Sequence, residues 1–193
     1  MEKAPALTNE LQFHLLRHFN RVDDDYLETF LSVSGYSRLE VREQLDIQGS
    51  RFLYSFAPNP LILWNKISSL IEGGKCEILL HPGRRVYSFH FERSQYPEGI
   101  GRCYLVSLDD LSADEKELLR EEKRGDHIVK VIGGIPPVPT WEMHLIEITG
   151  EENYVATVFP GTYAPPFPDR ENQTEEEYSE NSGFWEKHAI IEG

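Results

Sequence analysis

Seven histidines are the side chains of this sequence best suited to proton transfer near neutral pH. Their arginine and hydroxyl neighbours limit the chemistry they can do. His144, Thr157 and His188 lie on or beside expected late strands, where an acid, a base and a polar stabiliser can be gathered on one sheet face. Each also has a plain structural reading. Thr157 shares its face with Val155 and Phe159, and His144 shares its face with Ile146 and Ile148. Upstream, Lys123-Arg124-Gly125-Asp126-His127 puts two cations beside an imidazole at an expected helix–strand junction. That pattern can hold a phosphate or carboxylate, or simply place cations at a helix C-terminus. His81, Arg84, Arg85 and His90 form the most basic local cluster, either a phosphodiester-cleaving group or a solvated hairpin tip around Pro82-Gly83.

Two further groups complete the set. Tyr163 sits in a stiff aromatic loop, Phe159-Pro160-Gly161-Thr162-Tyr163 followed by Pro165-Pro166, which either lines a substrate cleft or caps the core. Glu10, His14 and His18 recur every four residues, a metal-compatible helical spacing. The metalloprotease form needs a glutamate directly after the first histidine, and Leu15 stands there. No phosphate-binding glycine loop, serine elbow, four-ligand zinc pattern or dinucleotide fingerprint is present. No metal and no cofactor are therefore expected.

The elements that must position these residues change character along the chain. Thr8 or Asn9 can cap a helix carrying Leu11, Leu15 and Phe19, and Asp23, Asp24 and Asp25 favour the start of a second. A third helix is expected from Ser37 through Leu45. A fourth runs from Leu61 to Ile71 and is stopped by Gly73-Gly74. Strands follow over Cys76–His81, Val86–Glu92 and Cys103–Leu108. Tyr87, Phe89 and Phe91 alternate with Ser88, His90 and Glu92 in the second of these. Ser112-Ala113-Asp114-Glu115 reads as a capping box for a charged helix reaching about Glu122. Three more strands are expected over His127–Ile132, Trp141–Thr149 and Tyr154–Phe159, with a turn at Gly150–Asn153.

The fold class is therefore α+β: a helical N-terminal part over 1–74, then a largely antiparallel twisted sheet over 75–193 with one inserted helix and an acidic mobile loop at 169–182. The helices either form their own domain or cover one sheet face.

Composition narrows the partners. The net charge of −14, from 33 acids against 19 Lys and Arg, disfavours non-specific binding to DNA. The charge is uneven, however. Residues 51–100 hold six bases against four acids, whereas residues 151–193 hold two bases against ten acids. An acidic chain can thus still carry a basic cleft for RNA, or an acidic surface for a basic protein. No run approaches the roughly 18 apolar residues of a membrane span, and the N-terminus lacks a signal pattern. A cytoplasmic protein without membrane contact is expected. Cys76 and Cys103 stand far apart with no paired-cysteine motif, so buried thiols are expected rather than a disulfide or zinc site.

Four motifs of the C-terminal half carry a resemblance: Lys123-Arg124-Gly125, Pro137-Val138-Pro139-Thr140, Thr157-Val158-Phe159-Pro160-Gly161, and Phe184-Trp185-Glu186-Lys187-His188-Ala189-Ile190-Ile191. Over roughly residues 100–193 the chain resembles uncharacterised bacterial and phage-associated proteins with the same T-x-F-P-G and F-W-x-x-H-A pattern. Its layout is similar to the barnase/EndoU/colicin/RelE-like group of ribonuclease and toxin folds. That resemblance implies RNA cleavage without metal, with His127 or His188 as acid or base, Arg124 as phosphate ligand, and Thr157 or Tyr163 as stabiliser. From their place in the sequence, Lys123 and Tyr163 are further expected to contact substrate, and His144 to belong to the catalytic set. The competing expectation is a non-enzymatic, immunity-like or scaffold module that binds a basic partner through its acidic C-terminal region.

Overall fold

The computed structural model describes residues 4–47, 49–103, 105, 107–117, 120–124, 127–131 and 137–192; for 110, 120–124, 127–131, 191 and 192 it describes the backbone. Four capped helices open the chain. Thr8 accepts a hydrogen bond from the Leu11 amide at the start of α1 (Asn9–Leu15), which tightens into a 3-10 turn over Leu16–His18. Asp23 caps α2 (Asp24–Ser34), and Ser37 with Glu40 closes a reciprocal capping box on α3 (Arg38–Asp46). After the short strand β1 (Arg51–Phe52), Asn59 caps α4 (Pro60–Glu72), whose first residue is the proline. Each such cap is worth about 1 kcal/mol by satisfying amides that have no partner within the helix.

A hairpin follows: β2 (Glu77–His81) and β3 (Arg84–His90) join at Pro82-Gly83, where Gly83 takes a positive φ of 72°. Then come β4 (Gly101–Cys103), α5 (Ala113–Lys116), β5 (Arg120–Arg124), β6 (His127–Val131), β7 (Val138–Thr140), β8 (Glu142–Ile148), β9 (Tyr154–Pro160), α6 (Glu175–His188) and β10 (Ile190–Glu192). The fold is α+β. Among the described residues no helix is long and apolar enough to cross a membrane.

The chain divides into two compact units. One is Met1–Cys103 with Pro139–Gly161; the other is Tyr104–Val138 with Thr162–Gly193. In the first unit the helices cover a sheet face rather than folding apart. Leu11, Leu15, Phe19, Phe30, Leu63 and Ile67 share one buried core with Tyr87 and Phe89 of β3, Met143 and Leu145 of β8, and Val158 of β9. Burying each such side chain contributes about 1.5–3 kcal/mol, and no layer of that core could form without the others. The sheet order is β2-β3-β8-β9, antiparallel throughout, with a register shift between Ile146 and Glu147. At one end Glu147 is buried but accepts from the Tyr87 hydroxyl at 3.1 Å and lies 3.5 Å from the Arg85 guanidinium. Arg85 is thereby committed to the fold, not to a phosphate.

In the second unit β5, β6 and β10 form an antiparallel sheet in the order β10-β6-β5. Phe184 and Trp185 of α6, with Ala189, pack with Ala164 and Phe167, and the Trp185 indole N–H donates to the Pro165 and Pro166 carbonyls at 3.1 and 3.2 Å. The proline loop is thus held by the aromatic anchor that follows it.

Three expectations are corrected. The acidic loop expected at 169–182 is a helix from Glu175 onward, because Thr174 and Glu177 form a capping box and three first-turn glutamates face the positive end of the helix dipole. The charged helix expected to reach Glu122 ends at Lys116, and Arg120–Arg124 is strand: pairing with β6 overrides a run of good helix formers. The strand expected over Cys103–Leu108 is Gly101–Cys103, with a 3-10 turn at Leu108–Asp110. Residues 125–126 and 132–136, which include the Gly133-Gly134 loop, lie outside the described residues.

Candidate functional site

Strand register assembles a polar row in the first unit. His144 on β8 stands directly between Ser88 on β3 and Phe159 on β9, and Glu142 lies two residues along on the same face. The Ser88 Oγ is 3.0 Å from His144 Nδ1, and His144 Nε2 is 3.6 Å from a Glu142 carboxylate oxygen. The nearby His144 imidazole holds the Glu142 carboxyl below its usual range against the opposing effect of burial, and His90 adds to the lowering. Hydroxyl, imidazole and carboxylate in that order can activate a nucleophile. Here, however, Ser88 is only 6% exposed and His144 5%. A nucleophile must be reachable, so Ser88 and His144 are a buried polar pair of the fold, with Glu142, its side chain 36% exposed, at the outer end of the row.

Thr157 meets a different imidazole. Its Oγ1 is 3.4 Å from His18 Nε2, while His18 Nδ1 is 2.9 Å from the Ser50 carbonyl oxygen. A carbonyl only accepts, so Nδ1 carries the proton and Nε2 accepts from the threonine. Burial pushes His18 down to about 4, with the Ser50 carbonyl opposing and His14, Arg17 and Arg51 reinforcing. His18 and His144 lie on Phe159, at ring separations of 6.4 and 5.7 Å. His144 and Thr157 therefore share a sheet face, each bound to a group that sequence reading did not pair with it.

The His18 contact predicts a pH dependence. Unfolded, the ring takes a proton near 6.5; folded, near 4. Between those values the unfolded state binds more protons, so the contribution to stability is complete above pH 6.5 and is lost as pH falls toward 4. For this half-buried ring the loss between pH 7 and 4.5 is about 2 kcal/mol. Urea unfolding at both pH values, in the parent and in His18→Gln, isolates it. The parent should lose about 2 kcal/mol more than the variant; equal losses would refute the assignment.

The remaining candidates belong to the second unit. Arg124 and His127 are direct register partners in the β5–β6 hairpin, and Lys123 stands opposite Ile128. Tyr163 is half-buried at the start of the proline loop. His188 is the last residue of α6, not a strand residue, and stacks on Phe184 with ring centroids 4.4 Å apart. Since β10 pairs Ile190 with Lys130 and Glu192 with Ile128, the chain end runs toward His127, whereas His188 enters from the other end. Lys130 and His127 are three positions, roughly 10 Å, apart along β6. Of the two histidines, His127 is the one beside Arg124.

A cleft of about 380 Å³ opens in the first unit, lined by Pro5, Glu10, His14, Tyr154 and Val155 among others. Burial, then the Arg17 charge, lowers His14. Among the described residues no three His, Cys, Asp or Glu side chains are arranged to hold a metal ion. Sequence reading missed the roles of Ser88, Glu142 and Ser50. Ser88 did fall on the polar face of its strand, but only the cross-strand register makes it the partner of His144. No family model, curated protein or solved structure matches this chain.

Proposed function

We propose that the chain is an RNA-cleaving, toxin-like domain using acid–base chemistry at the β5–β6 hairpin. One observation carries this reading: Arg124 and His127 are cross-strand partners, and β10, the end of the F-W-x-x-H-A motif, pairs with the same strand β6. Two sequence elements that carry the ribonuclease-like resemblance thus belong to one small sheet. In this mechanism His127 takes the proton of the ribose 2′-hydroxyl as O2′ bonds to phosphorus. Arg124 stabilises the charge gathering on the phosphoryl oxygens, and the 5′-oxygen leaves, taking a proton from water. Lys123, next to Arg124, supports the same phosphate. The Ser88–His144–Glu142 row and the Thr157–His18 pair act as scaffold.

Purified chain should cut a labelled single-stranded RNA, leaving a 2′,3′-cyclic phosphate, both with and without chelator. A substrate carrying 2′-deoxyribose at the cut position should resist. Intact RNA after prolonged incubation, or equal cutting of the deoxy substrate, would exclude this chemistry.

A second reading, a module that binds a basic partner, is favoured by α6. Glu175, Glu176, Glu177, Glu180 and Glu186 are all exposed on it, and Arg170 is held by Glu175 and over the Tyr178 ring. A lysine-rich peptide should bind at low salt, and Glu176→Lys with Glu180→Lys should weaken it about fivefold or more. Unchanged affinity would count against α6 as the contact.

A further inference from the structure

The outer strand β2 has the chemistry of an interface. It pairs with β3 along all five residues, Glu77 with Ser88 through His81 with Arg84, without a bulge. It ends the order β2-β3-β8-β9, and among the described residues no strand pairs with its other edge. All five residues are exposed, including Ile78 at 36%, Leu79 at 50% and Leu80 at 76%. Edge strands are normally blunted by a lysine, a proline, a bulge or a covering segment, because their outward amides and carbonyls invite another strand. Within β2 there is no lysine, proline or bulge, and its centre is three consecutive large apolar residues.

We propose that β2 is the dimer interface of this protein, pairing antiparallel with β2 of a second copy about a two-fold axis at Leu79. The order Glu77-Ile78-Leu79-Leu80-His81 is what selects a second copy in this register. Antiparallel pairing centred on Leu79 sets Glu77 opposite His81 at both ends, Ile78 opposite Leu80 twice, and Leu79 opposite itself. Parallel pairing would set Glu77 against Glu77. Moving the centre to Leu80 would bring Pro82, which has no N–H, into the ladder. A two-fold axis requires such self-complementarity. Cross-strand pairs of opposite charge and of large apolar side chains are the contacts that stabilise adjoining strands. The two four-stranded sheets then become one continuous sheet, and the apolar edge is removed from water. This inference does not depend on the RNA-cleaving reading.

Sedimentation equilibrium of the full chain tests it, at about 100 µM, above the dissociation constant of all but the weakest specific pairs. The expected mass is twice the 22.3 kDa of one chain. Leu79→Lys and Leu80→Lys should each raise the dissociation constant at least tenfold, with circular dichroism unchanged because both side chains are largely exposed. Glu77→Lys alone should weaken the dimer, and Glu77→Lys with His81→Glu should restore it. Rescue by the swapped pair requires the Glu77–His81 register and would not follow from a merely structural role. A monomer at this concentration overturns the proposal. So does a dimer that both lysine variants leave intact, or a double charge swap that weakens association further.

Discussion

Alanine at Arg124 or at His127 is expected to lower RNA cleavage by about 100-fold or more, with the folded state intact. A positioned imidazole contributes about 10²–10⁴-fold by moving a proton in the transition state, and a preorganised charge on the phosphoryl oxygens contributes on a similar scale. The residues are direct partners across the β5–β6 hairpin, so in the proposed mechanism both effects would act on one phosphate. Arg124→Lys should retain part of the activity, because it keeps the charge but loses the planar fork that grips two phosphate oxygens. The pH–rate profile separates the roles. His127→Ala should remove the limb that an imidazole gives between pH 5 and 8, whereas Arg124→Ala should lower the whole profile without moving that limb. His188→Ala serves as the comparison: its ring stacks on Phe184 at the end of α6, and cleavage should change less than tenfold. If Arg124→Ala and His127→Ala both cleave at the parental rate, the hairpin is not the active site.

Gly161→Ala should be among the most destabilising single substitutions in the first unit, costing about 3–5 kcal/mol from backbone strain and overpacking together. Gly161 has a φ of 112°, a conformation L side chains rarely adopt, and a Cβ built there would lie 2.5 Å from the Cys103 Cβ. Neither atom is the far end of a flexible chain, so relief requires the backbone to move where β9 ends and β4 passes. A loss of that size is a large share of the 5–15 kcal/mol that holds a domain folded, and it corresponds to a melting temperature lower by ~10 °C or more. Gly101→Ala should also destabilise, because its Cβ would fall 2.6 Å from the Pro160 Cβ and 2.7 Å from the Arg51 carbonyl oxygen. At Gly150 nothing lies within 4 Å of the added carbon, so Gly150→Ala is the control, with a change below about 1 kcal/mol. Thermal melts of the three variants decide the matter. Were Gly161→Ala to melt within a degree or two of Gly150→Ala, the close approach to Cys103 would be refuted.

Both predictions rest on contacts whose legibility in the sequence differs. Arg124 and His127 are separated by two residues, so a hairpin brings them together by local geometry alone. Even so, reading Arg120–Glu122 as the end of a helix hid that hairpin, because arginine and glutamate favour helix and only the partner strand β6 decides otherwise. The Cys103–Gly161 approach joins residues far apart in the chain, and Pro160-Gly161 reads in sequence only as a turn. His144 shows the same limit. Its strand and face were legible from alternation, but the hydroxyl at its Nδ1 comes from β3, and a one-residue slip would have sent Ser88 to the other face. Thr157 reads as a core threonine by its neighbours, and its partner His18 reads as half of a metal motif. Their pairing needs a helix of the N-terminal part packed beside β9.

The acidic stretch from Glu175 is instructive in the opposite sense. Its capping box, Thr174 with Glu177, is written in the sequence, and charge density concealed it.

By itself, then, the sequence determined what depends on residues within a few positions of one another: helix starts at Thr8 or Asn9, over Asp23–Asp25 and at Ser37, the turns at Pro82-Gly83 and Gly150–Asn153, the alternation of β3, and the α+β class that follows from their order. Caps and turns satisfy backbone groups locally, so their residue types are sufficient signals. Only the tertiary structure decided which strand lies beside which, that the helices share a core with one face of the sheet, that His144 is sealed between Ser88 and Phe159 while His127 stands beside Arg124, and that β2 is left as an edge. Those outcomes are set by pairing and burial between distant segments, whose stabilisation appears only when all the partners are in place.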